Sequence, residues 1–418
     1  MAQAPGRQGA RAARGEAAWP TLAFLLAATA ILGTAAVYAA SGLEAEGLQR
    51  DIWQHAAALL ALMENLAEPA NPFVASPETS RHFHPLWLAF AALGRALDLS
   101  VWQLLGAASV FSMAVLALGI HLFARAFFRE AWAPLVLLLT LTAGWLIQPQ
   151  HTGLHSFHTL LYGAPYPATM MIGASLILWA LTIRALEAPG PRACLGPLLL
   201  GGAMVMTHQL GAVIGLIGAG CFASAWPGVG LSRRGRVGAS LLAGVALSFA
   251  WPYHGPLALM AAPGNSSWEG GFPFYDPTIL AIVLIPAVLG LAGLRGARAR
   301  PLALALLAYG GLLLHGLTGP QVAGRFLMPV ALVLHVGLAG LILRRLGAWR
   351  WPLAPATPLL AIALLVPAWL AISIPIFESR LGRPPPGGIT YLEAARALTA
   401  DIPDVQEVAA DGILAWPV

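Results

Sequence analysis

Asp51 and His55 stand four residues apart in an early polar segment of the chain. On a helix, residues at this spacing share one face. A carboxylate beside a histidine at a membrane surface is a candidate general base, suited to take the proton from an attacking hydroxyl group. The same spacing also fits the polar face of a solvated amphipathic helix, and the residues alone slightly favour that alternative.

A second candidate is Arg325, which follows Gly324 and precedes Pro329 at the start of an apolar run. Its guanidinium group offers a fixed fork of donors that suits a phosphate. The alternative is an anchor that reaches from a helix end to the membrane surface. Arg81, His82 and His84, in an earlier loop, are candidates for the same phosphate cradle, although each residue alone fits a solvated loop better.

Three histidines have the spacing of a candidate metal site: His151, His155 and His158. If the segment is helical they form one stripe, and three histidines can hold zinc with one position open. A proline and a glycine nearby disfavour a regular helix. The residues therefore favour a polar lining of a cavity, shared with Tyr162 and Tyr166, over a divalent metal site.

These residues are set in a chain whose composition is that of a membrane protein. Of its 418 residues, 58% are hydrophobic and 10% are charged, and the mean hydropathy is +0.74. A soluble domain carries about 25% charged residues. Apolar runs of about 20 residues, long enough to cross a bilayer, recur along the chain. The arginines lie in short clusters between these runs, so they indicate membrane topology and no nucleic-acid partner.

The runs predict an all-α polytopic membrane protein with about eleven transmembrane segments. The first run is too long for a signal peptide and is taken as an uncleaved span. A stretch at 194–226 is too long for one untilted helix and is interrupted at His208, so it is divided into two arms. His208 fits equally a neutral histidine bonded to a free carbonyl and a substrate ligand. The predicted segments are 19–41, 101–127, 131–147, 164–186, two arms within 194–226, 237–257, 278–295, 301–317, 326–343 and 353–377.

Charge predicts the orientation of these spans. With the N-terminus in the cytoplasm, 16 of the 23 arginines lie inside and 7 outside, as the positive-inside rule requires. Of the 18 acidic residues, 15 lie outside. The groups able to do chemistry, and the C-terminus, are therefore predicted on the extracytoplasmic face of the plasma membrane.

The predicted transmembrane domain covers 1–377 and includes one long outer loop, and a tail follows it. The first outer loop, 42–100, contains amphipathic stretches at 47–67 and 84–98 that are predicted to lie along the membrane surface. The tail, 378–418, begins with a proline- and glycine-rich linker. It is predicted to be a short extracytoplasmic segment, either truncated or a very small domain.

Three short motifs resemble those of GT-C type glycosyltransferases. The string DIWQHAAALLALMENLAEPANPF, followed by RHFHPLW, resembles the first outer loop of these enzymes. The string GRFLMP resembles their arginine-aromatic-Leu-x-Pro element, and the Thr207-His208-Gln209 break resembles their histidine-containing hairpin. The resemblance covers the topology of most of the chain.

The resemblance implies an inverting enzyme that takes a sugar from a polyprenyl-phosphate donor. It assigns the catalytic aspartate to Asp51 and places Arg325 near the lipid-linked phosphate. The chain departs from the family pattern because it has no acidic pair in the first loop and no sizeable C-terminal domain. The metal requirement and the acceptor therefore remain open.

Two other functions fit the same topology. A transporter or flippase for lipid-linked precursors usually carries ionisable groups in mid-membrane. Here only His335 is placed deep, and no acidic residue falls within a predicted span. A lipid-carrier ligase or polymerase would need a catalytic histidine or arginine in a large late outer loop, which this chain lacks.

Overall fold

The computed structural model describes residues 19–41, 52–73, 80–145, 154–188, 190–255, 275, 277–318 and 321–348. Within these ranges the chain is helical and contains no strand. Among the described residues, five helices are long and apolar enough to cross a membrane, as expected of a multi-pass membrane protein. They are Trp19–Ser41, Val101–Phe127, Pro167–Glu187, Ala297–His315 and Ala323–Leu346.

The helices are numbered in chain order. They are α1 (Trp19–Ser41), α2 (Ile52–Glu64), α3 (Pro85–Leu97), α4 (Val101–Phe127), α5 (Ala133–Ala143), α6 (Phe157–Gly163), α7 (Pro167–Glu187), α8 (Leu195–Thr207), α9 (Gln209–Ala225), α10 (Leu231–Ser248), α11 (Pro277–Val288), α12 (Arg300–His315) and α13 (Leu327–Ala348). Short 3-10 turns extend or join several of them. Two of these turns are Leu289–Gly293, which follows α11, and Gln321–Phe326, which leads into α13.

Five of the eleven predicted segments thus correspond to helices long enough to span a membrane. The others are shorter helices or lie outside the described residues. The segments predicted at 131–147 and 237–257 are the shorter helices α5 and α10. Helix α10 ends at Ser248 because Pro252 disfavours helical backbone in the residue before it, and Trp251 turns back to another part of the chain. The segment at 353–377 and the tail at 378–418 lie outside the described residues.

The longest helix, α4, packs closely against α7 at a pair of glycines. A Cβ atom added to Gly173 would lie 2.6 Å from the Cα atom of Leu116. A Cβ atom on Gly119 would overlap the Gly173 carbonyl. Small residues permit backbones to approach in this way inside membrane bundles. The crossing fixes α4 and α7 as the centre of the core.

The helix break predicted at His208 is present, since α8 ends at Thr207 and α9 begins at Gln209. The two helices fold back on each other, with Leu216 beside Gly201. Two buried side chains hold α9 in place. The indole of Trp179 donates to the Gly215 carbonyl at 2.9 Å, and the Tyr309 hydroxyl donates to the Ile214 carbonyl at 2.6 Å.

Helices α2 and α3 are the two amphipathic stretches predicted in the first loop. Their apolar faces meet each other and the first turns of α4, around Leu59, Trp87, Phe90 and Leu104. Ser100 and Gln103 form a capping box that starts α4 directly after α3, which satisfies otherwise unpaired backbone donors. The first loop is therefore docked on the bundle at one end, here named the loop end.

Candidate functional site

Six side chains that the sequence suggested as site candidates converge at the loop end. They are here named the histidine–arginine cluster. Arg81 lies within electrostatic range of His55, His82 and His208, and Arg325 lies within range of His208. The members come from α2, the loop before α3, the α8–α9 break and the turn before α13. The cluster consists of His55, Arg81, His82, His84, His208 and Arg325.

Helix α2 supplies His55 in its first turn. The Nδ1 atom of His55 accepts a hydrogen bond of 3.1 Å from the indole N–H of Trp87. Its ring also meets the rings of His82 at 5.2 Å and Tyr166 at 5.4 Å between centroids. Because Nδ1 is an acceptor, the ring proton of neutral His55 is assigned to Nε2.

His84 is the N-cap residue of α3, directly before Pro85. Its Nδ1 atom accepts from the backbone N–H of Trp87 at 3.3 Å, so its proton is also assigned to Nε2. The side chain is only 2% exposed, and its Nε2 atom has no hydrogen-bond partner among the described residues. A buried donor without a partner is costly, so this N–H is a candidate contact for a bound group.

The helix break places His208 opposite the first loop. Its Nδ1 atom caps α9 by accepting from the backbone N–H of Gly211 at 3.0 Å. Arg325 lies in the turn Gln321–Phe326, where it is half-buried. The structure thus brings Arg325 and the first loop to one region, since Arg81 and Arg325 both lie near His208.

Burial and neighbouring positive charge keep the first-loop histidines neutral. Burial, with smaller effects from the adjacent Arg81 guanidinium and from His208, lowers the pKa of His82 to about 3. Burial, followed by neighbouring histidines, also lowers the pKa of His55 and of His84 well below the usual value. Removal from water penalises the charged imidazole. At neutral pH these rings therefore act as neutral donors beside two permanent cations.

One neighbour of the cluster was not predicted. His254 lies within electrostatic range of His84, because the chain after α10 turns onto the first loop. There Trp251 donates to the Phe83 carbonyl at 2.9 Å, and the Tyr253 hydroxyl donates to the Leu66 carbonyl. The sequence pattern had predicted that this segment lies inside the transmembrane segment 237–257. Its Trp-Pro-Tyr-His sequence, polar and aromatic with a proline, was the available signal.

The other predicted site residues divide into three groups. Asp51 and His151 lie outside the described residues, so their roles stay predictions. His155 packs against the rings of Trp145 and His335, whereas His158 packs against Tyr162. Among the described residues, no group of three or more histidine, cysteine or acidic side chains is placed to hold a metal ion.

A small cavity of about 20 Å³ lies between α7, α9 and α13. Its walls are mainly apolar and include Met171, Ile214 and Met328, and His155 and His208 also line it. Its volume is on the order of one water molecule. Searches against models of known protein families and against curated proteins find no match.

Proposed function

We propose that this chain is a GT-C type glycosyltransferase that moves a sugar from a polyprenyl-phosphate donor to an acceptor on the extracytoplasmic face of the plasma membrane. One observation carries the proposal. Arg81 and Arg325, far apart in sequence, both lie within electrostatic range of His208. His55, four residues after Asp51 in the sequence, lies within range of the same histidine.

In the proposed reaction, Asp51 takes the proton of the acceptor hydroxyl as its oxygen attacks the anomeric carbon. The bond between that carbon and the phosphate oxygen breaks, and the lipid phosphate leaves with the bonding electron pair. Attack opposite the leaving group inverts the anomeric centre. Arg325 and Arg81 stabilise the charge that develops on the phosphate, because guanidinium groups bind phosphate through paired hydrogen bonds.

The neutral histidines have a different role from the arginines. His55 and His84 each keep an Nε2–H available, since Nδ1 of each ring accepts from Trp87. Such donors bind phosphate or sugar oxygens without adding charge. We propose that His208 and Tyr166 line the same site. The need for a divalent metal stays open.

The proposal includes an orientation. The N-terminus is cytoplasmic, about eleven segments cross the bilayer, and the loop end and the tail face outward. The prenyl chain of the donor stays in lipid while its phosphate lies at the membrane surface. This arrangement puts the leaving group within reach of Arg325, whose turn forms the first residues of a candidate span.

One feature favours an alternative, a transporter or flippase of lipid-linked precursors. The buried rings of His155 and His335 meet at 5.2 Å between centroids, and the Nε2 atom of each has no hydrogen-bond partner among the described residues. Ionisable groups at membrane depth are typical of transport pathways. Movement of a labelled precursor across liposomes, without sugar transfer, would favour this alternative.

The test is sugar transfer from radiolabelled polyprenyl-phosphate sugars in proteoliposomes, comparing wild type with Asp51→Asn. We expect the variant to lose at least about 100-fold in rate, because general-base catalysis contributes roughly 10²–10⁴-fold. Glu64→Gln, at the exposed end of α2, is the matched control and should keep full activity. Full activity in Asp51→Asn would remove Asp51 from the mechanism.

A further inference from the structure

A recess of about 210 Å³ lies at the end of the bundle opposite the loop end. Four arginines line it: Arg129, Arg295, Arg298 and Arg344. Glu130 is the one acidic residue of its lining. Helix α13 runs from the turn with Arg325 to Arg344, and 19 residues of helix span about 28 Å. That length is close to the hydrocarbon thickness of a bilayer, about 30 Å.

Close backbone packing forms one wall of this recess. The turn Leu289–Gly293 lies against α13 so tightly that a Cβ atom on Gly293 would overlap the Gly337 carbonyl. The turn leaves two carbonyl groups facing Arg344. Its guanidinium donates to Gly293 at 3.1 Å and to Ala292 at 3.0 Å. These bonds hold one cation at the rim.

Arg298 is held on the opposite side by three contacts. It donates to the Phe127 carbonyl at 3.1 Å, lies 3.7 Å from the Glu187 carboxylate and sits 5.3 Å from the centre of the Trp226 ring. Arg129 and Arg295 complete the rim and are exposed. Within the described ranges, neither of these two side chains has a hydrogen bond or ion pair.

Arginines at helix ends are commonly explained by membrane topology. Topology alone requires no recess, whereas here cations from three segments surround one space. The walls between them are apolar, including Phe128, Leu294 and Leu302. We propose that this recess binds a phosphate-bearing anion, with Arg129 and Arg295 as its free donors. Two sources share this chemistry: the headgroup of an anionic lipid and a soluble phosphate compound.

The test measures binding to the purified full-length chain by native mass spectrometry. The probes are dioleoylphosphatidylglycerol, the zwitterionic dioleoylphosphatidylcholine, and inorganic phosphate. Wild type is compared with Arg129→Gln/Arg295→Gln. The matched control is Arg192→Gln/Arg236→Gln, two exposed arginines at the same end outside the recess. A charge-conserving pair, Arg129→Lys/Arg295→Lys, guards against loss of folding in the glutamine pair.

We expect an anionic probe to bind wild type, with affinity about 100-fold lower in the glutamine pair, because that pair loses two charge-assisted bonds and each is worth roughly a factor of ten. The control pair should stay within about twofold of wild type, and the lysine pair should fall between. Preference for phosphatidylglycerol over phosphatidylcholine identifies a lipid, and binding of phosphate alone identifies a soluble compound. No binding, or equal losses in recess and control pairs, would overturn the proposal. Neither result bears on sugar transfer at the loop end.

Discussion

At the scale of single residues, Trp87 fixes the protonation of two histidines at once. Its backbone N–H bonds to Nδ1 of His84, and its indole N–H bonds to Nδ1 of His55. Both rings must therefore present Nε2 to the site. The rings of His84 and Trp87 also stack, with centroids 5.3 Å apart. One buried indole thus organises the donors of the histidine–arginine cluster.

Replacing Trp87 by Phe should destabilise the chain by about 1–3 kcal/mol, because the buried Nδ1 atom of His55 would lose its donor. Thermal unfolding in detergent measures this effect. Trp132→Phe is the control, since the Trp132 indole N–H has no hydrogen bond within the described ranges. Equal losses in the two variants would mean that the bond between Trp87 and His55 contributes nothing.

His82 makes a prediction about pH. Its pKa falls from about 6.5 in an unfolded chain to about 3 in the folded chain. Between these values the unfolded chain binds the extra proton, so stability is complete above about pH 6.5 and declines as pH falls towards 3. The decline from one histidine is at most about 1.4 kcal/mol per pH unit.

Unfolding midpoints measured from pH 7.5 to pH 5 test this linkage. His82→Gln should unfold with a shallower dependence on pH than wild type, because one of the groups that titrates in this window is gone. The other first-loop histidines still titrate, so part of the pH dependence of the unfolding midpoint remains in the variant. An unchanged slope in the variant would contradict the burial assigned to His82.

Sequence reasoning identified part of this site at residue scale. Six residues were predicted from residue type and local motif, and the structure brings them together: His55, Arg81, His82, His84, His208 and Arg325. The role of Trp87 was not predictable, since its two bonds depend on how α2 packs against α3. Long-range contacts of this kind leave no periodic pattern in the sequence.

At the scale of elements, the approach of α4 to α7 depends on Gly173. Gly173→Ala should lower stability by about 1–3 kcal/mol, because the added methyl group meets the backbone of Leu116 and forces the helices apart. Gly220→Ala is the matched control, since its Cβ would enter open space. There alanine should be neutral or stabilising, as it favours helix over glycine.

Thermal unfolding midpoints of the two alanine variants test this account, because the two midpoints should shift in different directions. The account requires a lower midpoint for Gly173→Ala and an equal or higher midpoint for Gly220→Ala. If both variants shift alike, the glycine pair is not what sets the distance between α4 and α7.

Element boundaries were predictable where apolar runs meet polar or capping residues. The break at His208 and the helices α2 and α3 follow this rule. The C-terminal end of α10 was not predictable by this rule, because the apolar run continues past Ser248. Pro252 and the tertiary hydrogen bonds from Trp251 and Tyr253 to the first loop together determine where that helix stops. Such partners lie more than 150 residues away in sequence.

At the scale of the whole molecule, composition and charge predicted a helical membrane protein with two different ends. One end carries the histidine–arginine cluster and the other carries the arginine recess. The grouping of the four recess arginines around one space could not be predicted, because that space depends on the tight contact of Gly293 with Gly337. Charge counting predicted only that arginines gather on one side.

The proposed orientation can be tested by cysteine labelling in intact cells. Native Cys194 and Cys221 are first replaced by Ser and Ala. Glu68→Cys, exposed in the first loop, should react with a membrane-impermeant maleimide, and Ser232→Cys, exposed at the other end, should react only after permeabilisation. The reverse pattern would place the cluster in the cytoplasm.

The central claim is that Arg81 and Arg325 act on one donor phosphate, and a double-mutant cycle on sugar transfer tests it most directly. We expect Arg81→Gln and Arg325→Gln each to lower kcat/KM by roughly tenfold or more, since charge-assisted bonds are worth about 1.5–3 kcal/mol. Residues that share a partner are not additive. The account predicts that the double variant loses clearly less or more than the product of the single losses. Strict additivity, or full activity in either single variant, would contradict it.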